Sequence, residues 1–467
     1  MSTIFSTAFF TLLFLSTILF LSMLSPQPEK DTEEKQITHD LTYNHDLDNN
    51  DNFSPDGEWL VYDTRTDDGG IAESARIEKV NVKTGEIKVL FKVENNEIWG
   101  PGAGAVSYSP KENSVVFIHG LAKSTKENPY QQWRRTGVIV EDSKPNVPIY
   151  MDARDLTFPY TPGALRGGTH RHEWSGDGQW IGFTYNDAIL KALEDSIGKK
   201  RNLRTIGVSK RKKAVHVDKN TENVSGEWYS ALVVRVVPEP KRGSDEISHA
   251  AGDSWIGTNG YLRPDGKRQI ARAFLGTVVD KNGKDVPEVF VVDIPDDITK
   301  PGEFGPLEGT ETDFPMPPKG TLQKRLTFTA DSKYPGCSGI VRSSPDGNSL
   351  AYFAKDIKGV LQIFLMSPKG GKPQQLTEHE SDVSGNLRWH PDGQHVSYVW
   401  NGSIMLCQTE SAPFQDRCQT LTTSSNPAPT NIVWAHDGKM FAFNRAVKAK
   451  NGNDATLQVF VKSFEQK

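Results

Sequence analysis

Two imidazoles one residue apart, His170 and His172, flank Arg171 and closely follow Arg166. On an extended strand, residues two apart share a face about 7 Å apart, so both rings can reach one small ligand or ion. Three chemistries suit such a pair. Neutral imidazoles bind a transition-metal ion together with a carboxylate or amide from elsewhere in the fold. The same rings serve equally as hydrogen-bonded supports with no ligand. A third option is direct contact with an anionic or sugar ligand, helped by Arg166 and Arg171. Just downstream, Trp174-Ser175-Gly176-Asp177-Gly178 reads as a strand end and a tight turn, in which Asp bonds local backbone and Gly accepts positive φ.

That turn recurs. It appears as Ser54-Pro55-Asp56-Gly57, degenerately as Ser109-Pro110-Lys111-Glu112, then at Ser175, and as Arg263-Pro264-Asp265-Gly266. It returns as Ser344-Pro345-Asp346-Gly347, His390-Pro391-Asp392-Gly393 and Ala435-His436-Asp437-Gly438. The last three turns begin 46 and 45 residues apart, the period of a four-stranded propeller blade. Each is followed by an apolar strand such as WIGFTYN or LAYFAKD, often by a second, and then by a short strand ending in Leu-Thr. The final repeat lacks that last strand, and Lys35-Gln36-Ile37-Thr38 supplies it from the other end of the chain. The reading is an all-β, seven-bladed β-propeller of four-stranded blades, closed by the N-terminal strand and occupying residues 36–467. Closure removes two exposed sheet edges.

The chain has 467 residues, 24% of them charged, and a net charge of −5, which gives nucleic-acid binding no electrostatic support. Ile4 to Leu24 is almost wholly apolar and precedes a polar tract. Its length suits a bilayer span as well as a signal peptide. Residues 1–25 are therefore expected to be a signal peptide or membrane anchor and 26–35 a linker. Either way the rest lies outside the cytoplasm, periplasmic or otherwise extracytoplasmic. Of three cysteines, Cys407 and Cys418 fall on adjacent antiparallel strands where a disulfide is geometrically feasible; two unconnected thiols fit equally well.

The turn-strand-strand-QLT blades resemble TolB-type, WD40-like propeller repeats. More narrowly, LDNNDNFSPDGEWLVYDTR and PGALRGGTHRHEWSGDGQWIGFTYND resemble the YidR-like bacterial family, which implies a fold and brings no activity. Oligogalacturonate lyases, another TolB-like group, hold a divalent metal through a His-x-His shortly before a repeat turn, and His170 and His172 are similar to that arrangement.

In such propellers the residues before each inner strand meet those ending the next strand at the rim opposite the turns. This projection gathers His45, Asp46, Asp48, Asp63 and Arg65 from blade 1, and Arg166, His170, His172, Asn186 and Asp187 from blade 3. Later blades add His249, Lys355 and Asp356. The expected ligand-binding residues are Asp46, Asp48, Asp63, Arg65, Asn186, Asp187, Lys355 and Asp356. The leading functional reading is a monomeric module binding a cell-envelope glycan or protein. The alternative is a divalent-metal-assisted lyase or hydrolase of acidic oligosaccharides. There, His170 and His172 ligate the metal, Arg166 or Arg171 neutralises a uronate carboxylate, and His45 or His249 is the base. Two local features have plainer explanations than ligand binding. The Asx-rich Leu47–Asn52 tract fits turn chemistry more cheaply than calcium. The eight Lys/Arg between Lys199 and Lys213 fit a solvated hairpin, with a polyanion-binding face as the alternative. No G-x-S-x-G, HExxH, CxxC or phosphate loop is present.

Overall fold

The computed structural model describes residues 33–66, 69–211, 213–410, 413–448 and 455–465. The expected signal or anchor over residues 1–25 lies outside the described residues. Among those described, no helix is long and apolar enough to cross a membrane.

Seven antiparallel sheets form the blades of a β-propeller. Blades 2 to 6 begin with the inner strands Ala103–Tyr108, Gly167–Trp174, Ile247–Trp255, Cys337–Ser343 and Ser384–Trp389, and each is four-stranded. In blade 1 the strands Trp59–Asp63, Arg76–Asn81 and Ile87–Lys92 form the sheet. Its inner segment is attached through the bridges Asp46↔Asp63 and Phe53↔Leu60. Blade 7 consists of Thr430–Trp434, Met440–Lys448, Ala455–Ser463 and the N-terminal Lys35–Gln36. Lys35 pairs with Val461 and Gln36 with Phe460, as the missing final strand requires. The closing segment begins before residue 36, because Glu34 already pairs with Arg445 at 2.8 Å.

Where the repeat carries both Ser and Asp, the turn has one chemistry. In blade 3, Ser175 donates to Asp177 Oδ1 at 2.6 Å, and the same oxygen accepts the Gln179 N–H at 3.0 Å. Blade 4 departs from the pattern. Its Arg263-Pro264-Asp265-Gly266 turn tips an inserted hairpin, Tyr261–Leu262 against Arg268–Gln269, between the first and second blade strands. The helix Ala188–Ile197 is capped by Asp187, which accepts from the Leu190 N–H, and ends at Gly198 with φ 65°.

Every inner strand is interrupted by one left-handed residue: Asp51, Ala105, Arg171, Gly252, Gly339, Gly385 and Asn431, with φ between 50° and 79°. In blades 2 to 7 the ladder register shifts at that point. These are β-bulges, which leave a residue out of the ladder and re-aim the side chains around it. Close packing accounts for one of the glycines. A Cβ on Gly252 would meet the Gly339 carbonyl oxygen at 2.5 Å, so this ring position admits no side chain.

Cys407 and Cys418 stand opposite one another in blade 6 and form a disulfide, while Cys337 is a buried free thiol. The basic tract forms the strand Thr205–Lys210 inside blade 3. Lys210 lies over Trp180 at 4.5 Å, Lys213 over Tyr229 at 4.6 Å, and Arg211 pairs with Glu112. These contacts match the hairpin reading.

Candidate functional site

The bulges explain why His170 and His172 do not act as a pair. Arg171 takes φ 50° and the ladder slips between His170 and Glu173, so the period-2 rule fails at this point. His170 Nε2 contacts Asn186 Oδ1 at 3.0 Å. His172 turns instead to Thr169 Oγ1 at 2.9 Å, and its ring packs so closely on blade 2 that a Cβ at Gly137 would lie 2.8 Å from Nε2. Burial and the Arg135 charge hold the His172 imidazole neutral, at about 3. No third His, Cys or carboxylate joins the two among the described residues. The residues present therefore do not fit the expected divalent ion.

Several other expected site residues are consumed by the fold. Arg166 is fully buried and pairs with Asp187 at 2.9 Å, while also donating to the Thr310 and Asp313 carbonyls. Asp187 accepts from Tyr185 and caps the helix, so neither partner is available to a ligand. Asn186 is held by His170, Arg204 and Asn202. Asp356 accepts the Lys358 and Val360 N–H groups of its own turn, and Lys355 is exposed beside Tyr334. His249 is half-buried, and burial and Arg204 pull its pKa down.

His45 is sealed in the structure. Its ring lies 4.7 Å from Tyr43 and 4.9 Å from Tyr62, with neither nitrogen bonded, and burial lowers its pKa to about 4. The unfolded chain takes up this proton near pH 6.5, whereas the folded chain resists until about 4. Stability contributed by neutral His45 is therefore present above pH 6.5 and is lost as pH falls toward 4. His45→Phe should flatten the fall of the thermal midpoint between pH 6.5 and 4 relative to wild type. Unchanged pH dependence would count against the burial.

The structure does bring four expected residues together. Arg65 donates to Asp63 at 2.8 Å and Asp48 at 3.2 Å, and lies 3.7 Å from Asp46. Asp63 also accepts the N–H of the left-handed Ala105. Burial among these carboxylates raises Asp46 to about 7. Asp46 and Asp48 face a cavity of about 500 Å³ at the channel mouth opposite the turns, shared with Asn44, Arg171, Asn386, Arg388 and Asn431. Four bulge residues, Arg171, Gly339, Gly385 and Asn431, line it.

Deeper in the channel lie residues that sequence projection missed. Glu173 accepts from Asn50 and Arg342 on Oε1 and from Arg272 and the Trp255 N–H on Oε2, joining blades 1, 3, 4 and 5. Asn49 bonds Ala105, Ser107 and the His172 carbonyl, which identifies the Asx-rich tract as channel wall. Arg388 gives its terminal nitrogens to the Leu387 and Asn49 carbonyls, leaving Nε without a partner. Burial and the charges of Arg342 and Arg171 lower the Arg388 pKa well below its ordinary value. Arg388 also borders a second cavity of about 470 Å³ on the turn side, lined by Trp174, Trp255, Trp389 and Trp434.

Arg171 differs from these neighbours. It is half-buried, lines the 500 Å³ cavity, makes no side-chain hydrogen bond or ion pair among the described residues, and sits on strained left-handed backbone. The arrangement offers a guanidinium for an anionic group, with carboxylates and Asn side chains beside it for hydroxyls.

A family model described as a protein of unknown function, DUF3748, matches residues 102–223. Over 433 residues the chain is 36% identical to the uncharacterised protein YidR of Escherichia coli (strain K12), covering 90% of this chain and 97% of that protein. A solved oligogalacturonate lyase in complex with manganese superposes with a TM-score of 0.51 at 12% identity, over 94% of this chain and 96% of that one. That likeness is one of fold. A structure of TolB from Agrobacterium tumefaciens, described as putative, gives a TM-score of 0.36 at 13% identity, over 83% and 97% of the two chains.

Proposed function

We propose, for a chain that belongs to the same family as Escherichia coli YidR, a non-catalytic function: binding an acidic glycan of the cell envelope at the channel mouth opposite the turns. One observation carries this reading. Arg171, unpaired among the described residues, stands at a polar cavity on a backbone conformation that only surrounding structure can maintain. Beside it, Arg388 is a buried cation whose charge is incompletely offset. An anionic group entering the mouth relieves that imbalance, while Asn44, Asp46, Asp48, Asn386 and Asn431 are suited to sugar hydroxyls.

The apolar stretch 4–24 and the Cys407–Cys418 disulfide support export, with the stretch as signal or tether. The lyase alternative is less well served. Of its two expected bases, His45 is sealed while His249 is half-buried; of its two arginines, Arg166 is consumed by Asp187 while Arg171 is open; and His170 and His172 take different partners.

The test is calorimetric titration of the purified chain with a short oligogalacturonate as the acidic probe. Arg171→Gln should weaken binding by about 10- to 100-fold, the value of a charge-assisted hydrogen bond, while leaving the unfolding midpoint unchanged. Equal affinity of wild type and Arg171→Gln would remove the mouth as the site. Absence of binding by wild type would remove the acidic-glycan reading.

A further inference from the structure

In three of the seven repeats, the residue opening the turn is a serine whose hydroxyl bonds the turn aspartate. Ser54, Ser175 and Ser344 each donate to Oδ1 of Asp56, Asp177 and Asp346. Blade 6 replaces that serine with His390 and adds His395 at the start of the next strand. Asp392 Oδ1 keeps the backbone bond, from the Gln394 N–H at 2.8 Å. Its Oδ2 now lies 3.0 Å from His390 Nδ1 and 2.8 Å from His395 Nδ1.

The tautomer of His390 gives this contact its meaning. Nε2 lies 3.0 Å from the Gly438 carbonyl oxygen, which can only accept, so Nε2 carries the hydrogen. Nδ1 in turn receives the Asp392 N–H at 3.2 Å. A lone pair on Nδ1 therefore stands 3.0 Å from a carboxylate oxygen. Such a contact is repulsive unless a proton or a metal ion lies between the two. Ligand atoms bonded to one ion at about 2.0–2.2 Å are themselves about 3–3.5 Å apart, and the 3.0 and 2.8 Å contacts stand at the short end of that range. All three donor atoms lie within 4.8 Å of one another.

We propose that His390, Asp392 and His395 form a binding site for a divalent transition-metal ion of the zinc type. Two imidazoles and one carboxylate are the donor set such ions take, with positions left for water or a ligand. The remaining N–H of His390 is anchored on a backbone carbonyl, as metal-ligating histidines usually are. Trp434, with its ring centroid 4.5 Å away, and Phe464, at 5.4 Å, fix the His390 ring. The site is on the turn side, where Pro391, between two of the ligands, lines the 470 Å³ cavity. It is independent of the Arg171 mouth and of the proposed glycan.

The test uses the full chain, stripped of metal with a chelator, and two probes. Zn²⁺ binding is followed by calorimetry, and Co²⁺ by its visible absorption, which reports nitrogen and oxygen ligation directly. The expected result is one ion per chain, weakened about tenfold or more in both His395→Gln and Asp392→Asn. Asp392→Asn keeps the amide oxygen that accepts from Gln394, so the turn is retained, and circular dichroism checks folding. His249→Gln, remote from these ligands, should bind as wild type does. Absence of Zn²⁺ binding by wild type overturns the proposal, since a proton alone would then occupy the contact. Wild-type affinity in folded His395→Gln overturns it equally.

Discussion

Glu173→Ala should lower the folding free energy by about 3–5 kcal/mol, the usual consequence of removing one partner from a buried ion pair. Glu173 is only 5% exposed and, among the described residues, is the one carboxylate that Arg342 contacts; it also shares Arg272 with Asp253. Its loss strands the Arg342 guanidinium, whose Nε already lacks a partner, and frees the Asn50 amide and the Trp255 N–H. Because those groups belong to four blades, the effect should be global rather than confined to one sheet. Glu173→Gln retains an acceptor and should fall between wild type and alanine. Equilibrium urea unfolding measures both. As a control, Glu141→Ala removes a solvent-exposed pair with Lys144 and should leave the midpoint unchanged. A Glu173→Ala loss below about 1 kcal/mol would falsify the idea that this carboxylate joins the blades, because such a value is typical of a surface pair.

The blades were legible because the turn has a fixed chemical requirement. An aspartate oxygen must take a backbone N–H two residues on, and a glycine must accept positive φ, as Asp177 and Gly178 do. Ring closure followed from the same repeat, since a missing strand at one terminus had its counterpart at the other. The channel was not legible from alternation, because each inner strand contains one residue outside the ladder. His170 and His172 look like face-mates only while Arg171 is assumed extended. A signal for the bulge does exist in the sequence. Ala105, Arg171, Gly252 and Asn431 each stand three residues before Tyr108, Trp174, Trp255 and Trp434, and Gly385 stands four before Trp389. Aligned on the aromatic, the recurring Gly and Asn mark a left-handed position. Arg171 is then conspicuous as a large side chain at that position. Glu173, Arg342 and Arg388 stand one residue before the aromatic or turn-side position in their strands. Their convergence depends on four blades meeting at one axis, which no single repeat displays.

Removing residues 1–43 should destabilise the propeller by roughly 5 kcal/mol, combining lost apolar burial with several lost hydrogen bonds. Ile37 is 2% exposed and belongs to the cluster shared by blades 1 and 7, so its deletion opens a cavity between them. The Ile37 N–H donates to the Val459 carbonyl at 2.9 Å. The Thr38 hydroxyl accepts the Val459 N–H at 2.8 Å and donates to Gln458 Oε1 at 2.9 Å. Gln458 also donates to the Asp40 carbonyl, and Arg445 loses Glu34. Asn44 is retained because its side chain accepts the Leu457 N–H. The strand Ala455–Ser463 then becomes a long unpaired edge, a template for pairing with another copy. The truncated chain should therefore unfold at lower urea and elute as larger species in size-exclusion chromatography. Thr38→Val isolates part of the effect. It keeps the shape of the side chain but leaves the Val459 N–H and Gln458 without their partner, a loss of about 1–3 kcal/mol. A truncated chain that stays monomeric with an unshifted midpoint would mean that contacts between blades 1 and 7 hold the ring shut without the N-terminal strand.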